Sequence, residues 1–184
     1  VTYDNTSPSV VVSTTESNPT NVSPIPVTFT FSEAVTGFVV GDITVVNGTA
    51  GNFTAVSSTV YTASITPTAN GVVSVSAAAG VAQDAATNNN LVSNTLSVTY
   101  DNTSPSVVVS TTVTSPTNVS PIPVTLTFSE AVTGFVVGDI TVTNGTTGNF
   151  VAVSSTVYTA SITPTATGTV TVSVIAGVAQ DAAT

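Results

Sequence analysis

The residues able to do chemistry are nine carboxylates, and eight of them come in pairs 97 residues apart: Asp4 with Asp101, Glu33 with Glu130, Asp42 with Asp139, and Asp84 with Asp181. Only Glu16 has no partner one period on. There is no Lys, Arg, His or Cys, so no side-chain cation is present to neutralise them and the formal net charge is -9. Carboxylates gathered without a cation repel and raise one another's pKa unless a metal ion binds. Calcium suits such a site, being a hard ion that takes about 6–8 oxygen ligands in flexible geometry, with carbonyls such as those near Asn88 or Asn102 completing the shell. The alternative is that the acids cap turns. Asp4 before Pro8 and Asp42 after Gly41 stand where an Asx turn would form, whereas a turn rarely selects Glu. Glu33 and Asp84 are therefore the strongest candidate ligands and Asp42 the weakest.

The same inventory excludes other chemistry. A Ser or Thr nucleophile has no His, Lys or Cys to activate it. A glycosidase needs two acids about 5–10 Å apart beside a sugar cleft, and no aromatic platform accompanies these acids. The chain is expected not to be an enzyme. Nucleic acid is excluded as a partner, because phosphate binding rests on Lys and Arg. No apolar run approaches the roughly 18 residues of a membrane span, so no membrane insertion is expected in this segment. Absent Cys removes disulfides, absent Lys removes Lys–Asn cross-links, and the absence of both Lys and Arg removes every site for trypsin.

What must position the acids is a repeat. Residues 1–87 align without a gap on 98–184 and agree at 75 of 87 positions, the mark of a tandem array of whole domains. Each copy has the length of one small domain, giving repeat 1 at 1–100 and repeat 2 at 101–184. Ser and Thr supply 61 of 184 residues and Val is abundant, a strand-forming alphabet. Short alternating segments between Pro, Gly and Asn predict strands at 9–14, 26–32, 43–47, 52–57, 60–66, 72–77 and 91–100, with Asn47-Gly48 as a turn and Pro67 as a stop. The fold class is all-β: tandem immunoglobulin- or fibronectin-III-like sandwiches of about seven strands each.

Alternation places Phe31, Tyr61, Ile65, Val75 and Leu96 in the core, with Phe128, Tyr158, Ile162 and Val172 as counterparts. Phe29 becomes Leu126 and Ala77-Ala78 become Val174-Ile175 between the copies, apolar for apolar. Val46 to Thr143 and Val72 to Thr169 read as exposed sites. In this topology the segment before the first strand, the connection from second to third, and the connection from sixth to seventh all lie at the same pole. Asp4, Glu33, Asp42 and Asp84 are thus expected together, and Asp101, Glu130, Asp139 and Asp181 where the second copy meets the first. The second copy stops before its seventh strand. A window cut from a longer polypeptide explains this, and so does a strand supplied by a neighbouring chain.

Four runs carry a resemblance: Val-Thr-Phe-Thr-Phe-Ser-Glu-Ala-Val-Thr-Gly-Phe (27–38), Gly-Asp-Ile-Thr-Val-Val-Asn-Gly-Thr (41–49), Tyr-Thr-Ala-Ser-Ile-Thr-Pro (61–67) and Ala-Gly-Val-Ala-Gln-Asp-Ala-Ala-Thr-Asn (79–88). Together they resemble the bacterial Ig-like repeats of very large surface adhesins, over essentially the whole of each copy. The resemblance implies stalk modules with calcium at or near domain junctions. By position, Glu33 and Glu130 match the acid of its Phe-Ser-Glu motif, and Asp84 and Asp181 the acid of an Asp-x-Ala-Gly-Asn-like loop, which here reads Asp-Ala-Ala-Thr-Asn.

The expected function is mechanical: stalk or spacer repeats of a secreted or cell-surface bacterial adhesin, rigidified by calcium and partnered by neighbouring repeats of the same chain. Two alternatives stand beside it. One is the subunit of a self-assembling extracellular filament, with identical chains as partners and possible strand donation. The other is a carbohydrate-binding accessory module, which exposed aromatic residues would favour.

Overall fold

A computed structural model describes residues Val1–Thr184 and divides into two compact units, essentially Val1–Asn102 and Thr103–Ala182. Both are built of strands, with no α-helix and one turn of 3-10 helix in each.

In the first unit β1 (Val10–Ser13), β2 (Ile25–Phe31), β5 (Val60–Pro67) and β4 (Gly48–Ala55) form one antiparallel sheet in the order β1-β2-β5-β4. The second sheet is β3 (Ile43–Val46), β6 (Gly71–Ala77) and β7 (Leu96–Tyr100), in the order β3-β6-β7. This is the four-plus-three strand arrangement of an immunoglobulin sandwich of the constant type. The alternation read from the sequence holds where both sheets face the core. Val27, Phe29 and Phe31 are buried on β2, and Tyr61, Ala63 and Ile65 on β5. Phe29 lies opposite Tyr61 and Val27 opposite Ala63. Val75 is buried as expected, whereas Leu96 is half-buried.

The centre of that core is a ring cluster. Phe38 lies with its centroid 5.3 Å from Phe29, 5.2 Å from Phe31, 5.6 Å from Phe53 and 5.3 Å from Tyr61, all tilted or edge-on, the arrangement that aromatic quadrupoles favour. The Tyr61 hydroxyl donates to the Val35 carbonyl at 3.0 Å, so the one polar atom this cluster buries is satisfied.

Three expectations need correction. The strand expected at 52–57 runs from Gly48, and it pairs with β5 rather than forming a hairpin with β3. Asn47-Gly48 carries the chain from one sheet to the other. Asn47 takes a left-handed φ of 57°, its side chain holds both the N–H and the carbonyl of Ala69, and a Cβ on Gly48 would come 2.9 Å from the Thr66 carbonyl. The last strand begins at Leu96, not at 91. The segment before it spends its polar groups across the sandwich: Leu91 N–H donates to the Pro8 carbonyl, Ser93 N–H to Ala77, and Asn94 clamps both backbone groups of Val12. Finally, Ala78 and its counterpart Ile175 lie on the surface, Ile175 at 62% exposure. Only Ala77 and Val174 trade volume towards the core.

The second unit repeats the frame with β8 (Val107–Ser110), β9 (Ile122–Phe128), β12 (Val157–Pro164) and β11 (Gly145–Ala152) in one sheet, and β10 (Ile140–Thr143) with β13 (Thr171–Val174) in the other. Phe128, Tyr158 and Ile162 are buried and Val172 half-buried. No helix of the chain is long and apolar enough to cross a membrane, a statement that leaves β-barrels aside.

Candidate metal centre

Glu33 follows β2 by two residues, Asp84 lies in the connection from β6 to β7, and Asp4 lies on the segment entering β1. The two connections are tied by a reciprocal pair of backbone bonds, Thr36 N–H to Gln83 carbonyl at 2.8 Å and Gln83 N–H to Thr36 carbonyl at 3.0 Å. That pair brings Glu33 to Asp84, and carboxylate oxygens of Asp4, Glu33 and Asp84 all fall within 4.8 Å of one another. Asp4 is exposed, Glu33 half-buried, and Asp84 only 6% exposed.

Asp84 is held by its own loop. Its Oδ1 accepts the N–H groups of Ala86 and Asn88, both at 2.8 Å, and its Oδ2 accepts the Asn88 side-chain N–H at 2.8 Å. Burial alone would raise its pKa, but these bonds, those from Asn88 first, outweigh it and hold the carboxyl below its ordinary value. Glu33 goes the other way: loss of solvation, then the charges of Asp84 and Asp4, push it up. One acid kept ionised beside one that resists ionisation is the electrostatic signature of a site short of positive charge.

The loop also explains a departure from the resembled motif. Thr87 stands where that motif has Gly, and it takes φ = 69°, a region that β-branched residues seldom enter. Its hydroxyl donates to the Ala86 carbonyl at 2.6 Å.

Asp42 is not part of the group. Its Oδ2 accepts the Val39 N–H at 2.8 Å and its own N–H returns to the Val39 carbonyl, capping the one-turn helix Val40–Asp42. Asp139 does the same with Val136. Both follow the turn-capping alternative, so three of the four acids of a repeat are brought together rather than four. Asp4 joins the group and also closes an Asx turn to Thr6 N–H at 3.0 Å. Asn88 donates to both carboxylate oxygens of Asp84 while its backbone carbonyl accepts the Asp84 N–H at 3.2 Å, and Asn102 donates its N–H to Asn70.

In the second unit Glu130 and Asp181 have carboxylate oxygens within 4.8 Å of one another, with Thr133 and Gln180 repeating the reciprocal backbone pair. Asp101 closes the first unit, its N–H donating to the Thr20 carbonyl and its carboxylate accepting Asn70 at 2.7 Å. The Thr36–Gln83 pair had no role in the sequence reading, although both residues recur one period on.

Three carboxylates of graded exposure with no nitrogen or sulfur among them fit a hard, oxygen-seeking ion such as calcium and do not fit zinc or copper.

With the sandwich and its acidic pole described, comparison with protein families gives a match to the bacterial Ig-like domain at residues 4–100 and again at 101–184. The chain belongs to the bacterial Ig-like domain family. No curated protein matches it. Members of this family form a structural, non-enzymatic fold, typically in extracellular or surface proteins, and the two Ig-like domains here are tandem structural repeats.

Proposed function

We propose that these Ig-like domains are spacer repeats of a secreted or cell-surface bacterial adhesin or fibre, and that calcium held by Asp4, Glu33 and Asp84, and by the matching acids Asp101, Glu130 and Asp181 of the next repeat, stiffens the array. The observation that carries the reading is duplication. The chain repeats one frame and one set of acids, and the changes within it include Phe29 to Leu126 inside and Val46 to Thr143 outside. A spacer needs a length and a surface that recur. Family membership supports the extracellular setting.

When bound, calcium supplies positive charge to a pole that has none. The chain's own part is to fix the ligands: the Thr36–Gln83 pair sets the distance between the two connections, and Asn88 keeps Asp84 ionised. The carbohydrate-module alternative lacks a platform, since Tyr3 is the one fully exposed ring among the seven Phe and four Tyr.

Titration calorimetry of the 184-residue chain is the test. Saturable binding at about 10⁻⁴–10⁻³ M, the range of extracellular calcium modules, with heat lost in Glu33→Gln and Glu130→Gln, is the expected result. Heat unaltered by both substitutions would assign these acids to turn capping alone.

A further inference from the structure

The chain contains three Asn-Gly dipeptides, Asn47-Gly48, Asn70-Gly71 and Asn144-Gly145. An Asn followed by Gly can cyclise: the Gly nitrogen attacks the Asn side-chain carbonyl carbon, and Gly, with no Cβ, leaves the approach open. The ring needs room, and the fold gives the three sites different amounts of it. Asn47 and Asn144 are half-buried where the chain crosses between sheets, each at a left-handed φ of 57°. Their side-chain amides are clamped at both ends, Asn47 on the carbonyl and N–H of Ala69 and Asn144 on those of Ala166. The glycine that follows is hemmed in. A Cβ on Gly48 would lie 2.9 Å from the Thr66 carbonyl and 3.2 Å from Ile65, and one on Gly145 would lie 2.9 Å from Ile162 and 3.2 Å from the Thr163 carbonyl.

Asn70 stands in the open. It is exposed in the connection between β5 and β6, and a Cβ on Gly71 would meet nothing nearer than the Asn47 side chain at 3.8 Å. Its Oδ1 accepts the Asn102 N–H at 3.1 Å, a donor placed on the oxygen that gains negative charge when the carbonyl carbon is attacked. Asn47 has a comparable donor in the Ala69 N–H, so room and exposure, rather than the donor, separate the sites. The Asn70 amide nitrogen donates to Asp101 Oδ1 at 2.7 Å. Through these two bonds Asn70 ties the β5–β6 connection to the residues that leave β7. The second repeat has Thr167 at this position.

We propose that Asn70 is a site of spontaneous deamidation, selected by the fold over Asn47 and Asn144, and that its conversion loosens the exit from β7. The Gly71 nitrogen gives up its proton and bonds to Asn70 Cγ. The Cγ–Nδ2 bond breaks, and the nitrogen leaves as ammonia with that proton. Water then opens the succinimide at either carbonyl, giving Asp, or isoAsp with the peptide bond running through the side chain. Water is the only co-reactant. The product replaces the donor on Asp101 by a second carboxylate facing it, in a chain with no side-chain cation to offset the pair. IsoAsp also adds a backbone atom just before Gly71, which pairs with Tyr100, and so disturbs the end of the ladder between β6 and β7. The first repeat gains this charge with age, whereas the second, with Thr167, has no amide there to lose. The inference is independent of calcium and of the spacer role.

The test incubates the folded 184-residue chain at mildly alkaline pH and follows Asn-to-Asp and Asn-to-isoAsp conversion by mass spectrometry of chymotryptic peptides, with the same chain in urea as reference. In the folded chain Asn70 should convert at least about tenfold faster than Asn47 or Asn144, whose reaction waits on local opening. In urea the three should convert at similar rates. Asn70→Thr should abolish the fast conversion and leave the slow ones. Asn70→Asp, which reproduces one product, should speed exchange of the Asp101 and Asn102 amides over the parent chain, as should ageing of the parent itself. Equal rates at the three sites in the folded chain would overturn the proposal, and so would the same preference for Asn70 in urea, which would place the selection in local sequence rather than in the fold. Exchange at Asp101 and Asn102 unchanged in both the Asn70→Asp chain and the aged parent would overturn the loosening of β7.

Discussion

Asn88 grips both oxygens of Asp84, its backbone N–H on Oδ1 and its side-chain N–H on Oδ2, each at 2.8 Å. This double contact fixes the only well-buried acid of the first unit and makes its ionisation a property of the loop rather than of a metal. Glu33 beside it carries the electrostatic penalty, from lost solvation first and then from the charges of Asp84 and Asp4.

Opposite pH signatures follow for these two acids when calcium is absent. The folded pKa of Glu33 lies above 4.5, so the folded state binds its proton more tightly and the group lowers stability as pH rises through that value. Glu33→Gln in EGTA should therefore raise the urea midpoint at pH 7 and have little effect at pH 3. The folded pKa of Asp84 lies below 3.8, so its contribution is full above that and is lost as pH falls through the folded value. Asp84→Asn should lower the midpoint at pH 7, with the loss shrinking in acid. Matching signs for the two variants at pH 7 in EGTA would contradict this assignment.

Thr87 spends backbone energy at φ = 69°. Residues with a Cβ lose about 1–2 kcal/mol in the left-handed region, against which Gly costs about 0.4–1 kcal/mol through the unfolded chain and forfeits the hydroxyl bond to Ala86. Thr87→Gly should be stabilising by about 0.5 kcal/mol, read from urea unfolding in EGTA. A loss of stability would mean that the hydroxyl bond outweighs the strain.

Phe38 touches four rings, and Phe38→Ala should cost about 3–5 kcal/mol. Val46→Thr should stay within about 0.5 kcal/mol, since Val46 is 61% exposed and the second unit carries Thr143 there. Paired urea melts of the two variants distinguish core from surface, and equal losses would put the sandwich faces the wrong way round.

Asn90 is buried and makes four bonds, accepting Val81 and Ala82 N–H and donating to the Ala78 and Leu91 carbonyls. Leaving several of those groups unpaired costs about 1–3 kcal/mol each, so Asn90→Ala should destabilise the first unit by at least about 2 kcal/mol and loosen the loop that carries Asp84. Exchange of the Val81 and Ala82 amides is the readout, and unchanged protection would show that the loop does not depend on Asn90.

Much of this was legible in the sequence because it was periodic. The period-2 alternation of Val27, Phe29 and Phe31 against Tyr61, Ala63 and Ile65 gave two core strands, and the 97-residue repeat singled out the acids. Most of what it missed, Asp42 apart, depends on contacts distant in sequence. Asn47-Gly48 has the local chemistry of a hairpin, and only the pairing of β4 with β5 shows that the chain changes sheet there. Phe38 and Phe53 show no alternation that marks them as core. Asp42 sits by topology at the acidic pole, yet a bond to Val39 three residues away takes its carboxylate. Leu91 and Val92 looked like strand because they are apolar, but Asn90, Ser93 and Asn94 bind the backbone around them across the sandwich.

Thermal unfolding of the 184-residue chain at pH 7 reads whether Glu33 and its neighbours hold calcium. At a calcium concentration about 100 times the dissociation constant, binding to the folded state alone adds about 2.7 kcal/mol per site, or a rise of about 10–20 °C for a domain of this size, over the same chain in EGTA. The rise should vanish in the Glu33→Gln, Glu130→Gln double variant, which in EGTA melts no lower than the parent. Equal melting temperatures for the parent chain in calcium and in EGTA would contradict the claim and leave the acids as turn caps on a spacer that needs no metal.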